Sequence, residues 1–121
     1  MNSHEFVNLI RSIVRDGAVE DTLKLLERPP GRRPPEGLVK LSHWYHALPL
    51  DQREWVKQAI SEAVDAAVFG FLAVLDGVRQ IEAPEERGEL KLIYERDGNS
   101  DLLNDFNKEF LHDIFKQGKD S

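Results

Sequence analysis

The sequence predicts a mainly α-helical single domain, residues 1–121, around a long central helix, with a small β-hairpin before the C-terminal helix. An α+β arrangement is the alternative. Three observations carry the prediction. Apolar residues recur at helical spacing from Phe6 to Val14 and again from Trp55 to Leu75. Proline and glycine break the chain at 28–35 and at Gly77. Between Gly77 and Asp97 the apolar period shortens towards two, as in a strand.

Ser3 is placed to cap a first helix through Phe6, Val7, Leu9, Ile10, Ile13 and Val14, with Asp16-Gly17 as its end. A short second helix follows from Val19 to about Glu27, with Leu23, Leu25 and Leu26 as its apolar side. The loop Arg28 to Pro35 holds four prolines and a glycine in eight residues, which excludes helix and favours extended backbone. A third helix is expected from Glu36 to Ala47. At Leu50-Asp51-Gln52-Arg53-Glu54-Trp55, Asp51 and Glu54 have capping-box spacing, and Leu50 and Trp55 that of a hydrophobic staple. From there a helix should run to about Leu75 and stop at Asp76-Gly77. Its second half is apolar all round, so it is expected to be the buried centre of the fold. Gly70 inside it costs about 1 kcal/mol relative to alanine. With Ala63, Ala66 and Ala67 it makes a narrow surface for a neighbouring helix or a dimer seam. Val78–Glu82 and Glu89–Arg96 are the expected strands of the hairpin, and Asp97-Gly98-Asn99 is a turn. Ser100 is then placed to cap a last helix through Leu102, Leu103, Phe106, Phe110, Leu111 and Ile114. The expected core comprises Trp55, Ile60, Val64, Val68, Phe69, Leu72, Leu90, Leu92, Phe106, Phe110 and Ile114.

Composition bounds the function. The 40% apolar and 31% charged residues are those of an ordinary globular protein. There is no cysteine, which removes disulfides and thiolate metal sites and is compatible with a reducing cytoplasm. The N-terminus lacks the apolar stretch of a signal peptide. The longest uncharged apolar run, Ala66–Leu75, is too short to span a bilayer, so neither secretion nor membrane insertion is expected. Residues 82–113 hold 4 Lys/Arg against 10 Asp/Glu, so this quarter of the chain carries a charge of −6, equal to that of the whole. Such a surface repels phosphates, which excludes direct nucleic-acid binding, and it attracts a basic protein.

Within that quarter Asp101, Asp105, Glu109 and Asp113 stand four residues apart. On the expected last helix they form one ridge, at a cost of roughly 0.2–0.5 kcal/mol per like-charged pair. Asp113 would also lie at the unfavourable end of the helix dipole. A ridge with that cost points to a cationic partner, with Glu82, Glu85, Glu86 and Glu89 extending it where the hairpin packs beside the last helix; a solvated acidic face is the other reading. Arg28, Arg32 and Arg33 of the proline-rich loop are candidates to neutralise it from inside the fold; plain solvation of that loop and binding of an external phosphate or carboxylate are the other readings.

His43 and His46 lie three apart around Trp44-Tyr45 and would need a third ligand, such as His112, to hold a metal. Asp65 and Asp76 flank the apolar segment, where a half-buried carboxylate acts either as a general acid or as a structural cap. These spacings carry no strong catalytic motif, and the expectation is a non-enzyme without cofactor.

The segments HWYHALPLDQREWV, AAVFGFLAVLDGV, GELKLIY and FLHDIF together resemble small bacterial proteins encoded singly or beside polymorphic toxins. Immunity proteins of contact-dependent growth inhibition systems are among these. The likeness spans roughly residues 43–115, mostly at expected core positions, and brings no catalytic residues with it. It implies a cytoplasmic protein that binds and blocks a cognate toxin, and nuclease toxins are commonly basic. The expectation is therefore an acidic inhibitor, monomeric or weakly dimeric, that occludes the cationic cleft of a basic toxin. The rivals are a small metal-binding or enzymatic domain using His43, His46 and His112, and a homo-oligomeric structural module using the Ala/Gly surface.

Overall fold

Helix dominates because the apolar residues of this chain repeat at three and four. The computed structural model describes residues 1–120, the last two by backbone alone. In order the elements are α1 (Ser3–Leu9), a π-helical stretch (Ile10–Arg15), α2 (Asp16–Glu27), α3 (Glu36–His46), α4 (Leu50–Leu75), a 3-10 turn (Pro84–Glu86), β1 (Ile93–Arg96), β2 (Asn99–Leu102) and α5 (Leu111–Asp120). The chain is mainly α-helical, with a two-stranded antiparallel hairpin before the C-terminal helix. Two compact units compose it: residues 1–14 with 66–121, and residues 15–65.

In the first unit, α1 begins on Asn2, whose side chain accepts the Glu5 amide at 2.9 Å; the expected cap Ser3 is already helical. Asp16-Gly17 does not end this helix. Gly17 is not in the left-handed conformation that a C-cap glycine supplies, and the backbone passes through the π-helical stretch directly into α2. The core of this unit joins Val7 of α1, Leu72 of α4 and Leu111, Ile114 and Phe115 of α5, with Val68, Phe69, Leu75 and Leu92 packed against it.

α4 ends as its sequence dictates. Gly77 has φ +76°, its amide bonds the Val74 carbonyl at 3.0 Å, and the Val78 amide bonds that of Ala73 at 3.1 Å. This double bond pattern is the glycine C-cap, and only a residue without Cβ adopts it at no cost. α4 is not the buried centre that its composition predicts. Across its most apolar 18-residue window only 22% is buried, although its length and composition alone would suffice to cross a bilayer. One face enters the core through Leu72, while Phe71 beside it is 64% exposed.

The hairpin lies later in the chain than its period predicts. Val78–Glu82 is not a strand. β1 pairs with β2 in the register Ile93↔Leu102, Tyr94↔Asp101, Glu95↔Ser100 and Arg96↔Asn99. Asp97 and Gly98, with φ of 53° and 81°, make the two-residue turn. Positive φ at both positions matches the right-handed twist of the strands, and Asp-Gly is suited to it. Ser100 therefore sits in a strand and caps no helix. Asn104 closes the sheet onto α4: its side-chain oxygen accepts the Leu92 amide at 2.8 Å, and its NH2 donates to the Leu75 carbonyl at 2.6 Å and the Leu90 carbonyl at 2.8 Å.

In the second unit α2 packs on α3, and the buried residues are Val19, Leu26, Ser42, Tyr45 and Asp65. Ser42 Oγ donates to the Leu26 carbonyl at 2.7 Å, and His46 Nε2 lies 2.7 Å from that of Glu27. Both bonds occupy carbonyls at the end of α2 that lack helical partners. Arg53 does the same for α3 and its following turn, donating to the carbonyls of His46 and Leu48 with its guanidinium 5.2 Å from the Tyr45 ring centroid. Arg15 holds buried Asp65 through two bonds, Nε–Oδ1 at 2.7 Å and Nη2–Oδ2 at 3.2 Å. The Asp65 hydrogen bond is the largest influence holding the Arg15 guanidinium charged above its ordinary range; partial burial opposes it and Asp16 adds to it.

Three expected core residues are instead exposed: Trp55 at 70%, Phe106 at 50% and Leu90 at 47%. Leu50 is 78% exposed, so the expected staple with Trp55 is not a buried contact. α4 begins one residue before the expected cap Asp51, on the Pro49 carbonyl, which accepts from Gln52 and Arg53.

Candidate functional site: the carboxylates of residues 82–113

The four-residue spacing of Asp101, Asp105, Glu109 and Asp113 does not produce a ridge, because α5 starts at Leu111. Asp101 lies on β2, Asp105 and Glu109 lie between β2 and α5, and Asp113 occupies the first turn of α5. The expected helical repulsion is therefore absent. Asp113 also sits at the end where the helix dipole favours a carboxylate, the reverse of the sequence expectation.

Each of these four carboxylates has local contacts in the first unit. Asp101 Oδ2 is 3.1 Å from the Met1 ammonium. Asp105 Oδ1 accepts the Asn107 amide at 2.9 Å, which makes an Asx turn. Glu109 accepts from Gln117 and is 2.9 Å from His4 Nε2. Asp113 Oδ1 is 3.4 Å from His112 Nε2. Asp105 is half-buried and the other three are exposed.

Glu82, Glu85, Glu86 and Glu89 lie in the connection between α4 and β1 and belong to no strand. All four are exposed. Glu82 accepts the Gly88 amide at 3.2 Å and so closes the loop. Glu85, Glu86 and Glu89 make no side-chain hydrogen bond or ion pair among the described residues. Beside them is a cavity of about 350 Å³ walled by Ile81, Leu90 and Phe106, with Arg79, Arg87, Glu82 and Glu89 at its polar edges. Of its cations, Arg87 donates to the Gly77 carbonyl just past the end of α4, and the Arg79 guanidinium lies against Gly70 within that helix. A cation at the Gly77 carbonyl complements the negative end of the helix dipole.

The sequence leaves Asp76 as an acid or a cap, and its geometry is that of a cap. It is 2% exposed and accepts the amides of Leu111 at 3.1 Å and His112 at 2.9 Å, plus His112 Nδ1 at 2.6 Å. A carboxylate from the end of α4 thus satisfies the free amides that open α5. The His112 ring is held between Phe69, at 5.3 Å and edge-on, and Phe110, stacked at 5.6 Å. Sequence spacing gave no sign of this link, since 36 residues separate the partners.

The histidines do not converge. His43 and His46 occupy the last turn of α3, with His46 Nε2 engaged by a backbone carbonyl, and His112 opens α5. Among the described residues no three His, Asp or Glu side chains are grouped to hold a metal ion. Arg28, Arg32 and Arg33 are exposed in the second unit and make no ion pair among the described residues.

No protein-family model matches this chain, and neither a curated protein nor a solved structure does.

Proposed function

We propose that this chain is an acidic protein-binding inhibitor that neutralises a basic partner, as an immunity protein neutralises a bacterial nuclease toxin in the cytoplasm. One observation carries the reading. The segment that holds the chain's whole charge excess has nine of its ten acidic residues exposed, and Glu85, Glu86 and Glu89 make no side-chain hydrogen bond or ion pair among the described residues. Carboxylates left free on a short irregular segment offer a basic cleft the charge pattern of phosphates. Opposite potentials of this kind speed encounter and fix register more than they add raw affinity. The resemblance of residues 43–115 to toxin-linked bacterial proteins supports the same reading.

The test separates steering from folding. The full chain is used at low salt to capture its partner, and the eluted protein is titrated against wild type and against a Glu85→Lys/Glu86→Lys/Glu89→Lys variant. The expected outcome is association slowed by about tenfold or more, with a weaker salt dependence. Equal rates and equal salt dependence would remove the mimicry mechanism, whatever the partner.

A further inference from the structure

A different face of the first unit carries an apolar groove that the fold leaves open. α1, the π-helical stretch and the second half of α4 enclose an open groove of about 290 Å³ whose wall is almost wholly carbon, with Phe6, Ile10, Val14, Val68, Phe71 and Leu75 among its residues. Phe71 and Val14, which line it, are 64% and 47% exposed, and Ile13 and Leu9, on the same helical run, are 69% and 43% exposed. We infer that this groove is covered by the same face of a second copy of the chain, in a twofold dimer.

Four arguments select that occupant. The first is area. At roughly 150–250 Å² for a complete aromatic side chain and somewhat less for an aliphatic one, these four exposed residues leave on the order of 400 Å² of apolar surface in water. A stable interface takes about 800 Å² from each partner, about 55–65% of it apolar, so this face supplies nearly the whole apolar core of one.

The second is shape. A twofold contact brings one patch against itself, so the patch must hold both relief and recess. Here Phe71, 64% exposed, stands at the wall of the open groove.

The third is charge. The chain carries −6, and copies repel wherever acidic surface meets acidic surface. Residues 1–14 hold one arginine against one glutamate, and residues 66–75 hold no charge, so two copies can meet here without like charges facing. A partner drawn by carboxylates is directed to residues 82–113 instead.

The fourth is the backbone. Phe6, Ile10 and Val14 are each four apart, a spacing that drifts around an α-helix. The π-helical stretch Ile10–Arg15 closes its bonds over five residues, which widens the turn and holds the row in line along the groove. Such a stretch is a costly irregularity, met most often where a helix serves a function.

The experiment is sedimentation equilibrium of the full chain from about 1 to about 100 µM, a range that brackets a micromolar dissociation constant. The expected mass at the top of the range approaches twice the 13.9 kDa monomer. Ile13→Asp and Phe71→Ser should each raise the dimer dissociation constant by about 30-fold, the effect of losing an interface anchor. Glu20→Lys, on an exposed position of α2, should leave it unchanged. Circular dichroism checks that each variant is folded; Ile13 is exposed enough that its replacement tests the interface even if Phe71→Ser does not fold. A monomer throughout the range overturns the inference, as does a dimer indifferent to both substitutions. A monomer that sediments with phosphatidylcholine–phosphatidylglycerol vesicles and loses this with Ile13→Asp overturns it in favour of a lipid surface.

Discussion

Replacing Asp76 with alanine should be among the most damaging single changes in this chain. The carboxylate is 2% exposed and receives three N–H groups, from Leu111, His112 and the His112 ring. A hydrogen bond to a charged group contributes about 1.5–3 kcal/mol, and a missing helix cap alone costs about 0.5–2 kcal/mol. The three bonds are not additive, since all depend on one side chain. Removal also strands two amides at the start of α5, beside the core residues Leu111, Ile114 and Phe115. These considerations place the loss at about 3–5 kcal/mol, comparable with breaking a buried ion pair. That is a large share of a total stability of about 5–15 kcal/mol. Urea unfolding reads it directly: with a slope near 2 kcal/mol per molar, the midpoint should fall by about 2 M. Asp76→Asn retains one acceptor oxygen and should lose about half as much. Hydrogen exchange adds a local readout, because the Leu111 and His112 amides should lose protection before the rest of the first unit. A midpoint within about 0.3 M of wild type, with those two amides still protected, would refute the assignment of Asp76 as the cap of α5.

Asn104→Ala should cost about 1–3 kcal/mol, because it orphans the Leu92 amide and the Leu75 and Leu90 carbonyls together; amide exchange at Leu92 checks the site of the damage. Arg15→Met removes the guanidinium from buried Asp65 and should cost about 3–5 kcal/mol, measured by thermal or urea unfolding. The folded-state pKa of Arg15 is raised, so its contribution is complete below its unfolded value and fades only as strongly alkaline pH passes the folded one; between pH 6 and 9 the Arg15→Met penalty should be flat with respect to this group. Leu111→Ala should lose about 2–5 kcal/mol, whereas Trp55→Ala, at a far more exposed position, should stay within about 1 kcal/mol of wild type. Parallel denaturation of the two variants tests which residues make the core.

The local signals in this sequence are strongest where one residue type has a unique conformational role. Gly77 ends α4 and the prolines of 28–35 break the helices, because no other residue meets those backbone demands equally well. Where the signal was a period, the competing interpretations were close. Leu90, Leu92 and Tyr94 alternate, but only the end of that run pairs, and its partner strand is Asn99–Leu102, where the sequence suggests a turn at Asn99, a cap at Ser100 and the first residues of a helix. Asp97-Gly98 held the decisive clue, since a two-residue Asp-Gly turn joins strands that must extend on both sides of it. Asp16-Gly17 failed as a stop because the π-helical stretch absorbs the mismatch and the helix continues. The sequence offers Asp76 as a cap but not its partners, and Asn104 as a clamp not at all: those partners lie 12 to 36 residues away, and no local pattern encodes such a contact. Trp55, Leu90 and Phe106 are exposed despite their apolarity, because apolarity says that a side chain gains by leaving water, not that this chain alone supplies the cover.

The correction at α5 also changes which carboxylates carry functional weight. A helical ridge of four acids would have been an unfavourable arrangement in need of an external reason. Placed on a strand, in turns and at a helix start, the same acids have internal reasons. Asp105 forms a turn, Glu109 holds His4 and Gln117, and Asp113 faces a favourable dipole. Partner binding is therefore argued from the acids that the fold does not use, Glu85, Glu86 and Glu89. This distinction has a measurable form. Reversing those three charges should leave stability within about 0.5 kcal/mol per substitution, as surface changes away from caps and networks do. Glu109→Lys should cost more, because it sets a cation against His4 and releases Gln117. If the triple variant is instead as destabilised as Glu109→Lys in urea, those glutamates also serve the fold, and the observation that favours a basic partner is lost.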